Sequence, residues 1–241
     1  MRNFTIILFI FFVFFLIISL FVTDPLPLFF TLFLAFVISF ICLAEYTGKL
    51  RGILAGIFFV AAPFLIEYLF LKFNVPFSQS SILQNFTIDQ FNLFLTLTNL
   101  FTLVTIPLIF ITSLFFAYKI KIFVKIKSYH KTFLIIASSL LVALNFLIIT
   151  SKSIDSQNFI KWMAISLIIF LIIIKLIKFK AEALEIFKDL PILIYLSIYG
   201  VNALRRLESF NLVIAAFLVI LYLILLFNEY KIRKIALSFK L

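Results

Sequence analysis

The chain has 241 residues, of which 65% are hydrophobic and 13% charged, and its mean hydropathy is +1.28. A soluble domain carries roughly half apolar and a quarter charged residues, so water is not the main solvent of this one and an ordinary water-soluble globular domain is excluded. The net charge of +11 does not point to nucleic acid, because the lysines and arginines lie in short clusters between apolar runs, where membrane topology and anionic headgroups account for them.

In chain order, uninterrupted apolar runs predict eight spans, at 4–22, 28–44, 53–71, 92–118, 132–150, 159–177, 190–207 and 210–227. Each is close to the length that crosses about 30 Å of hydrocarbon. Helix is the expected conformation throughout, since lipid offers backbone polar groups no partners and alternating strand patterns are absent. The expected fold class is all-α, a polytopic transmembrane helix bundle forming a single integral membrane domain over 1–241. The plasma membrane of a prokaryote is its expected location.

The first run follows Arg2 and extends from Phe4 to Val22, longer than a signal-peptide core. Thr23-Asp24-Pro25 follows it without a small-x-small cleavage pattern, so it is expected to be a retained span. The first hairpin, two apolar spans joined by Thr23-Asp24-Pro25-Leu26, resembles the transmembrane subunits of energy-coupling-factor vitamin importers. The Ala-Arg-Gly signatures on the coupling helices of those subunits do not occur here, and no family is assigned on this resemblance.

Span three opens on glycines. Only four occur in the chain, and Gly48, Gly52 and Gly56 fall at i, i+4 and i+8, one bare stripe along which another helix can approach closely. Gly48 also suits the end of span two, as a residue free to leave the helical conformation. Pro63 in span three and Pro107 in span four each free a carbonyl one turn back, that of Phe59 and of Leu103, and predict kinks. Between these spans, Ser81-Ile82-Leu83-Gln84 matches a capping box, consistent equally with a short interfacial helix and with an irregular loop.

Polar residues gather at one depth. Glu67 lies near the outer end of span three, Thr98, Asn99 and Thr102 in the outer half of span four, Asn145 on span five, and Tyr199, Asn202 and Arg206 on span seven. Tyr195, Tyr199, Asn202 and Arg206 share one helical face, as do Thr98, Thr102, Thr105 and Thr112. Polar atoms in hydrocarbon need partners, so both stripes are expected to face the bundle interior. Two roles fit them. One is a polar cavity open to the outer face, with Glu67 and Arg206 as an ion pair. The other is hydrogen-bond glue, with threonines bonding their own backbone.

On span six, Lys161 and Trp162 mark the expected outer end and Lys175 the inner end. Span seven is the weakest by hydropathy, with Asp189 and Pro191 as expected N-cap and first-turn proline. Charge keeps it. With eight spans and both termini cytoplasmic, sixteen of the 21 basic residues fall inside, among them Lys49, Arg51, Lys119, Lys121, Lys131 and the tail from Lys231 to Lys240. Removing span seven would place that tail outside, against the positive-inside bias.

Catalytic chemistry finds no foothold. One histidine, His130, and one cysteine, Cys42, cannot build the usual zinc or bis-imidazole haem sites, and no HExxH, Walker A or GxSxG pattern occurs. The nearest acidic pair, Glu182 and Glu185, sits among lysines, as on a solvated helix face. No cofactor, metal or nucleic acid is expected. The partners expected are the lipid bilayer and a protein partner or oligomer docked through membrane helices. Two functions remain open: a non-catalytic membrane subunit, or a small permease using the outer polar cluster. A lipid-modifying enzyme ranks below both, for want of a clustered acid, base or metal site.

Overall fold

The computed structural model describes residues 2–22, 25–73, 97–124, 130–150, 156–177, 186–206, 213 and 216–227. These residues form eight helices and no strand: α1 (Arg2–Phe21), α2 (Pro25–Thr47), α3 (Lys49–Lys72), α4 (Leu97–Val124), α5 (His130–Thr150), α6 (Ser156–Leu176), α7 (Ile186–Arg206) and α8 (Ala216–Phe227). Each falls on a predicted apolar run. Five contain stretches long and apolar enough to cross a membrane, in α1, α2, α3, α4 and α6. Described apolar stretches in the other three are shorter, His130–Phe146, Asp189–Ile198 and Ala216–Phe227. The capping-box segment 81–84 lies outside the described residues.

Local chemistry explains the helix ends. Pro25 and Pro27 open α2 in the first turn, where the missing N–H costs nothing. Gly48 closes it with φ 97°, and its N–H donates to the Ala44 carbonyl at 2.9 Å. The next helix begins at once, and the Gly52 N–H donates to the Gly48 carbonyl at 2.8 Å. A single residue therefore joins two antiparallel helices. That tight reversal brings their backbones together, and the glycines make room. A Cβ on Gly52 would overlap Ala44, and one on Gly56 would overlap the Phe40 ring. The partners of the glycine stripe are thus four and eight residues before Gly48, on the chain's own α2.

The α3 and α4 helices run through Pro63 and Pro107, both buried. Neither Asp189 nor Pro191 starts α7: the helix begins at Ile186, so Asp189 is in its first turn and Pro191 lies inside it. The helix starts one turn earlier, and the Asp189 carboxylate makes a tertiary contact.

The α4 helix forms the centre. Every residue from Ile106 to Ala117 is buried, and α2, α3, α5 and α7 pack around it. A helix apolar on all sides belongs in such a position. Near mid-span, the rings of Phe59 on α3, Phe110 on α4 and Phe170 on α6 meet at centroid separations of 5.6–5.9 Å. At the periphery, α1 touches the bundle through a narrow seam, Thr5, Phe12 and Ser19, spaced seven apart. Leu218, Tyr222 and Leu225 form the buried stripe of α8. The outward faces of α1, α3 and α8 are apolar, with Phe4, Phe14, Ile57, Leu65, Phe217 and Phe227 exposed. An apolar exterior around a packed core is what a bilayer environment demands, and the helices support a membrane location.

Candidate functional site

Contacts fix which helix ends lie together. Tyr46 at the end of α2 meets Phe115 and Tyr118 near the end of α4, each at 5.6 Å. Lys119 of α4 reaches the start of α7, where its Nζ donates to Asp189 Oδ1 at 2.8 Å. The α2–α3 turn, the end of α4 and the start of α7 therefore share one end of the bundle. Exposed Lys49 and Arg51 lie at this basic end. The opposite end is marked by the Phe146–Trp162 stack of α5 and α6, with centroids 3.5 Å apart and ring planes 6° apart.

The predicted polar cluster belongs to that opposite end. Glu67, Thr98, Asn99, Thr102, Tyr199, Asn202 and Arg206 occupy helical positions on α3, α4 and α7. Their side chains, and so the expected Glu67–Arg206 pair, lie outside what the structure describes. Asn145 is described. It is buried, and its Nδ2 donates to the Leu141 carbonyl of its own helix at 2.8 Å.

The same solution recurs at four hydroxyls in the spans. Thr31 donates to the Pro27 carbonyl, Thr47 to Leu43, Thr112 to Leu108 and Ser197 to Leu193, all at 2.8 Å and all four residues back. A hydroxyl that returns to its own helix costs little in lipid. One hydroxyl also crosses between helices: Ser166 on α6 donates to Trp162 at 2.6 Å and contacts the Ser139 carbonyl of α5 at 3.3 Å. Ser138 and Ser139 are buried opposite it, and small side chains let α5 and α6 approach closely.

Two buried cations take roles the sequence did not give them. Trp162 and Lys161 were expected to mark the outer end of span six; both side chains are buried within the bundle there, with exposures of 2% and 1%. The Lys161 ammonium sits 5.6 Å from the indole centroid, and Trp162 packs on Phe146, so the indole serves the contact between α5 and α6. Lys175, by contrast, is exposed at the far end of α6.

Lys119 was expected to be one of sixteen basic residues on the cytoplasmic side. Its side chain is 7% exposed and pairs with Asp189, 22% exposed. Neighbouring Lys121 lies 5.2 Å from the Tyr118 ring centroid. Seventy residues separate Lys119 from Asp189, so no helical periodicity could have joined them. The available signal was a carboxylate at the head of the apolar stretch Asp189–Ile198, which needs a cation if it is to be buried. Among the described residues no three metal-ligating side chains come together. Comparisons with protein-family models, curated proteins and solved structures find no match.

Proposed function

We propose that this chain is a non-catalytic membrane subunit, a helix-packing scaffold of eight spans with both termini on the cytoplasmic side. The basic end is then the cytoplasmic face, in keeping with the distribution of sixteen of 21 basic residues. One observation carries the reading: the middle of the bundle is filled with aromatic rings. A permease keeps a polar, alternately accessible space near mid-membrane, often between broken helices. Here Phe59, Phe110 and Phe170 occupy that depth, and α4 runs through it as a continuous helix. Polar side chains returning to their own backbones support the same role.

The glycine stripe does not supply the partner surface, since α2 fills it. The α1 helix, the least enclosed of the long apolar helices, offers a broad outward face. Purification in gentle detergent from the native host, followed by mass spectrometry, tests the proposal. A protein co-purifying in fixed ratio supports a subunit. Homogeneous chain without a protein partner, together with solute uptake lost in Glu67→Gln and Asn202→Ala proteins that still fold, would favour the permease.

A further inference from the structure

The α7 helix is poorly suited to cross a membrane unaided. Its described apolar stretch covers Asp189–Ile198, with a carboxylate at one end, and Arg205 and Arg206 close the helix at the other. Its 21 residues nevertheless make about 30 Å of helix, the thickness of the hydrocarbon. Whether such a helix stays across the bilayer depends on what its charges meet. Asp189 gains something from the amino-terminal end of its own helix dipole. It pairs with Lys119, 2.8 Å away on the most enclosed helix of the bundle. Charges paired at this distance lose much of the penalty that excludes either alone from an apolar interior, so removing one member raises the cost of the other.

We infer that Lys119 is the intramolecular partner that holds α7 across the membrane. The Lys119–Asp189 pair then decides on which side the basic tail from Lys231 to Lys240 ends. This rests on the eight-span topology proposed above. The pair links a helix completed early in synthesis to one made 70 residues later, so α7 becomes a stable span once α4 is present to receive it.

Topology is read directly by translating the full chain into membrane vesicles and labelling single cysteines with a membrane-impermeant maleimide, which reports variants whether or not they fold stably. In a Cys42→Ala background, Lys49→Cys marks the basic end and Lys240→Cys the tail. With Lys119 and Asp189 intact, both are labelled from the same side. Lys119→Met is expected to lower same-side labelling of the tail about tenfold while leaving position 49 unchanged. Lys119→Met with Asp189→Leu removes both charges and is expected to restore it. Lys121→Met removes an equal charge from the same helix end without touching the pair, and is expected to change nothing. Unchanged tail labelling in Lys119→Met, no recovery in the double variant, or an equal loss in Lys121→Met overturns the inference. Opposite-side labelling of positions 49 and 240 in the background itself overturns the eight-span topology, and the inference with it.

Discussion

Ala44 and Gly52 lie backbone to backbone, each four residues from Gly48, and a side-chain carbon on Gly52 would overlap the Ala44 Cα. The relationship follows from joining two antiparallel helices through one residue at φ 97°. Backbone cannot yield as a side chain can, so Gly52→Ala is expected to destabilise by about 2 kcal/mol or more, as overpacking does. At Gly56 the obstacle is the Phe40 ring, which can rotate, and Gly56→Ala should cost less. Gly48→Ala should cost about 1 kcal/mol for its left-handed backbone. Gly200 has open space around it, and Gly200→Ala should be neutral or stabilising. Unfolding in mixed detergent ranks the four.

The aromatic centre makes a second prediction. Phe110 is fully buried between Phe59 and Phe170. Lipid is as apolar as this core, so truncation loses packing rather than water exclusion, and the cavity term dominates. Phe110→Ala should destabilise by about 2 kcal/mol and Phe110→Leu by clearly less. Equal stability of all three proteins would contradict a close-packed centre.

Trp162 is the chain's one tryptophan, which makes its emission a site-specific probe. Buried against Phe146, it should emit at short wavelength and resist aqueous iodide. Phe146→Ala should shift the emission to the red. Strong quenching in the unmodified protein would show that the indole is open to water instead.

Cys42 is buried completely on α2. Its thiol should remain unlabelled by water-soluble maleimide in mild detergent and react stoichiometrically after denaturation in sodium dodecyl sulfate. Native-state labelling at a similar rate would mean that the interior opens there.

How far the sequence reaches is clear at particular residues. All eight helices fall on apolar runs because a segment placed in lipid must satisfy its own backbone, which makes hydropathy and length sufficient to locate it. The glycine spacing foretold a close helix contact, yet spacing carries no information about the partner, and the turn at Gly48 assigned it to α2. Similarly, the start of α7 was misplaced by one turn because capping preferences are weak beside a tertiary claim on the carboxylate.

Composition and local pattern thus determined where the helices are and what surrounds them, since both depend on the solvent each segment meets. Only the tertiary structure decided which faces meet. In a uniformly apolar chain most faces are equally acceptable to lipid, so pairing is set by shape and by a few polar groups. Glycines against Ala44 and Phe40, Trp162 against Phe146, and Lys119 against Asp189 are such choices. The first two join the arms of a hairpin, α2 with α3 and α5 with α6, and the last joins residues seventy positions apart, beyond the reach of any periodicity along the chain.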